Sequence, residues 1–161
     1  MFKHNEIRND IWNTVMHLTD KQINQQEASD RWSIAQILEH LYLIEDSITQ
    51  KMIQHLKMKT EKPIVKPVQL TLDRSRKLVY PIPISDEFRT LNSLRKKLNN
   101  SRHAFELLIK GLTADQLAQK SMNHPVFGEA MSFYQWVEFV GLHEERHLEQ
   151  INEVKTNLHF P

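Results

Sequence analysis

Glycine is scarce in this chain: three in 161 residues, where average usage of ~7% would supply about eleven. Folds rich in β-turns and loops that cradle phosphate both need positive φ or close approach of the main chain, and both draw on glycine for it. Helix is what remains. At this length a single domain spanning residues 1–161 can bury ~70% of its unfolded surface, so it needs no covalent staple. The chain contains no cysteine, which excludes a disulfide scaffold, thiolate metal sites and a cysteine nucleophile. With 40% hydrophobic and 25% charged residues, a soluble globular domain is expected.

Apolar periodicity divides the chain. Ile7, Ile11, Trp12, Val15, Leu18 and Ile23 recur at helical spacing and predict a first amphipathic helix within residues 3–24. Ser33-Ile34-Ala35-Gln36 reads as a capping box. From there Ile34, Ile37, Leu38, Leu41, Ile44, Ile48, Met52 and Leu56 form a stripe that runs to about Lys59. Residues 60–84 interrupt the pattern with Pro63, Pro67, Pro81 and Pro83, each lacking the N–H a helix interior needs. The segment 64–70 could be extended. So long a connection suits a crossover that lets the second and third helices run parallel.

A third helix is expected after Ser85, with Asp86 and Glu87 in its first turn, an apolar stripe from Phe88 through Leu108, and Gly111 as its stop. Thr113-Ala114-Asp115-Gln116 is a second capping box, opening a helix too short to join a bundle. A turn-rich stretch, 123–128, leads to Ser132, which caps the fourth helix. The stripe of that helix is Trp136, Val140, His143, His147, Ile151 and Val154. Two of its six members are histidines.

The charges exclude several partners. A net charge of +1 gives no bulk electrostatic case for nucleic acid or for an anionic membrane. No apolar run approaches the ~20 residues of a membrane span. The first six residues contain no secretory apolar segment, and with the lack of thiols this gives a cytoplasmic expectation.

His143 and His147 lie one turn apart on one helical face, a spacing that suits two imidazoles on one metal. Unpaired polar rings inside an apolar stripe would be costly, which favours ligation over chance. His40, at the edge of the second helix's stripe, is the candidate third donor; three neutral imidazoles leave positions open, as catalytic metals require. His143-Glu144-Glu145-Arg146-His147 also fits H-E-x-x-H, but no third metalloprotease ligand follows it. A ferritin-like di-iron site fails as well: Ile37, not Glu, stands three residues before His40. Gln36 and Gln150 sit near His40 and His147 and are candidates to orient a ring or touch substrate, while Glu144 is a candidate proton acceptor. His124 would cap its turn or line a pocket. His4, His17, His55, His103 and His159 are expected in solvated or boundary roles, and Trp32, Trp136 and Phe139 in the core. Gly141, inside the fourth helix, suggests a close helix crossing.

Three separated segments carry a resemblance. Trp32-Ser33-Ile34-Ala35-Gln36-Ile37-Leu38-Glu39-His40-Leu41, His124-Pro125-Val126-Phe127-Gly128, and Phe139 through Ile151 with its His143-x-x-x-His147-x-x-Gln150-Ile151 run resemble the DinB/YfiT-like superfamily. Residues 60–110 add little to the likeness. The resemblance implies an all-α, up-up-down-down four-helix bundle with a long crossover between helices two and three. It also implies a divalent metal, zinc or nickel, on the equivalents of His40, His143 and His147, and frequent homodimers. Some members are thiol S-transferases using bacillithiol or similar low-molecular-weight thiols; others are metal-dependent hydrolases. A small-molecule substrate is therefore expected. A binding bundle without catalysis is the rival expectation.

Overall fold

The computed structural model describes residues 2–77 and 82–161; Pro81, one of the crossover prolines, lies outside the described residues. Four long helices form the body: α1 (His4–Val15), α3 (Ile34–Leu56), α4 (Leu91–Gly111) and α6 (Phe133–Asn157). Between them lie the short α2 (Asp20–Ile23) and α5 (Ala114–Gln119), a 3-10 turn η1 (Val68–Leu72), and a hairpin of β1 (Ser121–His124) and β2 (Gly128–Ser132). No helix among the described residues is long and apolar enough to cross a membrane.

The starts of α3, α5 and α6 follow the capping chemistry. Ser33 Oγ accepts from Gln36 N at 3.1 Å while Gln36 Oε1 accepts from Ser33 N at 2.9 Å, closing the box that opens α3. Thr113 and Gln116 do the same for α5, and Ser132 Oγ accepts from Gln135 N to start α6. Three boundaries differ from expectation. The first predicted helix is two, because Thr19 and Gln22 form their own capping box and restart the chain at Asp20. The third begins at Leu91 with Thr90 as its cap, not after Ser85. The Arg89 guanidinium donates to the carbonyls of Ser85 and Glu87, holding that stretch outside the helix and leaving Phe88 exposed. The turn-rich stretch is the tip of a hairpin, pairing Ser121 with Ser132 and His124 with Gly128. Gly128 stands there at φ +85°, a conformation that disfavours side chains.

Contact registers give the helix directions. Glu39 pairs with Lys97 and Glu45 with Arg102, so α3 and α4 run parallel, as the long crossover requires. Arg8 meets Glu144 and Lys155 reaches the Thr14 carbonyl, so α1 and α6 are parallel too. Arg8 donates to the Leu98 carbonyl and Arg102 to that of His4, which sets α1 against α4. The order is up-down-down-up. This differs from the up-up-down-down expectation at two of the four helices, and α4 and α6 also run antiparallel; the parallel second and third helices expected from the long crossover are present. The α1–α3 connection, with α2 inside it, returns the chain in the opposite direction, where the expectation had the two helices parallel.

Between the long helices lie two apolar clusters. One gathers Ile11, Val15, Ile34, Leu38, Leu94, Leu98 and Ile151; the other gathers Ile48, Met52, Phe105, Met131, Phe133, Trp136 and Val140. Burying a large aliphatic or aromatic side chain contributes ~1.5–3 kcal/mol each. Along α3, His40 and Glu45 fall near where the stripe passes from the first cluster to the second; along α6, His143, Glu144 and His147 do the same. A buried polar layer thus divides the core. Gly141 faces the start of α1, but a Cβ there would meet His4 at 3.7 Å, ordinary contact, so the crossing does not demand glycine.

Candidate metal centre

His40 projects from α3, and His143 and His147 from consecutive turns of α6. All three are buried. His143 Nε2 lies 3.1 Å from His40 Nε2 and 3.1 Å from His147 Nε2, and the three donor atoms all lie within 4.8 Å of one another. Nitrogens bound to one ion at ~2.0–2.1 Å stand about 2.9–3.4 Å apart in octahedral or tetrahedral geometry. Both 3.1 Å spacings at His143 Nε2 fall within that range.

Protonation states agree. His147 Nδ1 donates to Gln150 Oε1 at 2.8 Å, so in the neutral ring Nε2 is left as a lone pair. A proton on His143 Nε2 can serve one neighbour properly, not both; hydrogen bonding alone leaves one of these close contacts without its proton. A cation among three lone pairs removes that conflict. Burial lowers the His40 pKa to about 3, with the His147 charge adding to it. Burial likewise lowers His147 to about 4 and drives His143 well below its ordinary value. Neutral imidazole is the form that binds metal. A donor set of imidazole alone suits zinc, nickel or copper over magnesium or calcium.

Aromatic rings wall the centre. Trp32 packs on the His40 ring at 4.9 Å, and Phe139 stacks on His143 at 5.3 Å with 28° between planes. His124 in turn meets Phe139 edge-on at 4.5 Å. Its Nδ1 accepts from Val126 N and Phe127 N, so it caps its own turn as expected, and burial lowers its pKa to about 4. Half-buried Trp32 touches the ring of His40, a contact that its apolar character did not announce.

Of the other candidates, the structure brings only Gln150 to the histidines. Gln36 is engaged elsewhere: its amide oxygen caps Ser33, and its Nε2 donates to the Ser85 carbonyl at 3.3 Å. Glu144, the candidate proton acceptor, is bound by Arg8 Nε at 2.8 Å and Arg102 Nη2 at 2.9 Å. His17, His103 and His159 are exposed and His55 half-buried, while His4 is buried edge-on against Phe105. A cavity of about 410 Å³ between α1, η1 and α6 includes none of the three site histidines.

The largest feature that spacing did not reveal is a buried ionic cluster. Arg8 from α1 reaches Glu45 on α3 and Glu144 on α6; Arg102 from α4 reaches the same two carboxylates, at 2.7 and 2.9 Å. Ser101 Oγ adds a 2.6 Å bond to Glu45. Burial works against the Arg102 charge, but Glu144 and Glu45 outweigh it and raise its pKa. No sequence signal was available, because the four charges come from four helices and share no local pattern.

Comparison with known proteins follows the same lines. The family model of the DinB superfamily matches residues 4–151. A protein of Bacillus subtilis (strain 168), the uncharacterized protein YuaE, is 32% identical over 158 residues, 96% of each chain. Among solved structures, YfiT from Bacillus subtilis is described as a probable metal-dependent hydrolase with an unusual four-helix bundle topology. It matches with a TM-score of 0.60 and 18% identity, over 97% of this chain and 83% of its own. At that identity the likeness is one of fold.

Proposed function

The chain belongs to the DinB superfamily, and from that premise we propose that it is a metal-dependent enzyme acting on small molecules, with His40, His143 and His147 as the ligands. The observation that carries the reading is the convergence of three buried, neutral imidazole nitrogens. Zinc or nickel is the ion proposed, both being among those this donor set suits. Such an ion, when bound, lowers the pKa of a thiol or water that it holds, so that thiolate or hydroxide forms near neutral pH.

The preferred reaction is transfer of a low-molecular-weight thiol, such as bacillithiol, to an electrophile. The chain has no cysteine, so the sulfur must arrive with the cosubstrate. Gln150 fixes the tautomer of His147 so that its Nε2 lone pair points at the centre. Trp32 and Phe139 shield the imidazoles and lower the local dielectric. Hydrolysis is the second reading, favoured by the description of YfiT, whose fold this chain shares.

Metal analysis of the purified protein, then assay with bacillithiol and monochlorobimane beside a panel of esters and amides, separates the readings. Thiol conjugation lost in His147→Ala, with the fold kept, supports the first. Hydrolysis without conjugation supports the second. A metal-loaded protein inert toward both panels defeats the enzymatic reading.

A further inference from the structure

Two arginines join the two helices that carry the metal ligands. Glu45 lies five residues after His40 on α3, and Glu144 directly follows His143 on α6. Arg8 and Arg102, from α1 and α4, each touch both carboxylates. Both guanidiniums are also anchored to main chain, Arg8 at the Leu98 carbonyl and Arg102 at that of His4. Glu45, Glu144 and His143 line one small cavity of about 10 Å³ between α3 and α6. The ionic layer therefore abuts the ligand set directly.

Stability alone does not explain such a layer. Replacing buried ion pairs by apolar residues of similar volume is often neutral or favourable, because desolvation offsets the Coulombic attraction. Apolar burial, however, is non-directional and specifies axial register less strictly than directed hydrogen bonds between charged groups. A planar guanidinium fork engages carboxylates only in a narrow set of directions. Two forks holding one carboxylate from each helix fix both the separation and the axial register of α3 and α6. A shift of one residue along a helix, 1.5 Å, would be large against the 3.1 Å spacing of the imidazole nitrogens.

We propose that Arg8, Arg102, Glu45 and Glu144 form a clamp that positions the metal ligands, with Glu144 setting His143 and Glu45 setting His40. They are positioning residues, and they act on the metal's affinity and coordination geometry through the helices. This inference rests on the reading of the three histidines as a metal site.

The test uses cobalt(II) as probe, with affinity and visible absorption spectrum measured on the whole protein. Glu144→Gln keeps the shape and removes the charge. Arg102→Lys keeps the charge but cannot fork between two carboxylates. Removing one partner can itself unfold the chain, so the paired variant Arg102→Met with Glu144→Gln, which leaves Arg8 and Glu45 matched, is measured beside them. Val15→Ala, buried away from the clamp, serves as a destabilised control. Cobalt affinity is expected to fall about 10–100-fold in the clamp variants, the range seen for groups behind metal ligands, with an altered spectrum and no such change in Val15→Ala. Clamp variants that lose thermal stability yet keep wild-type affinity and spectrum overturn the proposal and leave the metal site standing. Wild-type protein that takes up no cobalt, zinc or nickel overturns the metal reading, and the clamp with it.

Discussion

The Nε2 atoms of His40 and His143 lie 3.1 Å apart although 103 positions separate them in the chain. The antiparallel packing of α3 and α6 makes the meeting possible. His40 faces the turn that carries both α6 histidines, and Ile44 and Ile48, further along α3, share a small cavity with Val140, further back on α6.

Ligand removal is the most direct prediction. Binding at about 1,000 times Kd stabilises a folded state by about 4 kcal/mol, and in a domain of this size each kcal/mol moves Tm by about 2–4 °C. Zinc or nickel should therefore raise the wild-type Tm by about 8 °C or more in a thermal melt. In His143→Ala that increment should vanish while far-ultraviolet dichroism stays helical. A retained increment would place the metal elsewhere.

Gln150 should matter through the hydrogen bond it accepts. Gln150→Leu removes the acceptor for His147 Nδ1–H and is expected to weaken zinc binding about tenfold. Gln150→Glu restores an acceptor and should recover most of the affinity. Competition with a chromogenic chelator reads both; equal affinities in wild type and Gln150→Leu would refute the role.

Acid should destabilise the metal-free protein. His40, His124 and His147 have folded pKa values of about 3, 4 and 4, lowered by burial from 6.5. As pH falls below 6.5 the unfolded chain binds protons at these sites and the folded chain does not, so stability drops until the folded values are reached. At 1.36 kcal/mol per unit and about 2–4 °C per kcal/mol, Tm should fall by at least about 5 °C between pH 7 and pH 5. A flat profile over that window would mean the rings are not neutral in the fold.

The α3 cap offers a test away from the metal. Ser33→Ala removes the hydroxyl that accepts from Gln36 N and should cost about 1 kcal/mol, visible in urea unfolding as a lower midpoint with unchanged slope. Zinc affinity should hold to within a factor of about three, since the cap lies nearly two turns before His40. A tenfold loss of affinity would show that the end of α3 is not independent of the site.

Much of this was readable in advance because it repeats locally. The stripes of α3 and α6, the capping boxes at Ser33 and Thr113, and the His143–His147 pair are all written within single turns, and His40 stood out against its apolar neighbours. What could not be read depends on partners distant in the chain. Arg8 and Glu45 look like ordinary surface charges until α1 and α3 are laid side by side. The direction of α1 is decided by a connection whose turn at Thr19 resembles continued helix in apolar periodicity. The start of α4 lies later than its acidic residues at 86 and 87 suggest, because Arg89 ties that stretch into a loop.

The donors' separation along the chain also fixes when an ion can first be captured. With synthesis proceeding at about 5–20 residues per second, the imidazole of His40 leaves the ribosome roughly 5–20 s before that of His143, and no nascent intermediate holds the trio. On the metal reading proposed above, metallation would therefore be a late event, reserved for molecules whose α6 has already docked, and an ion would meet a finished receptor.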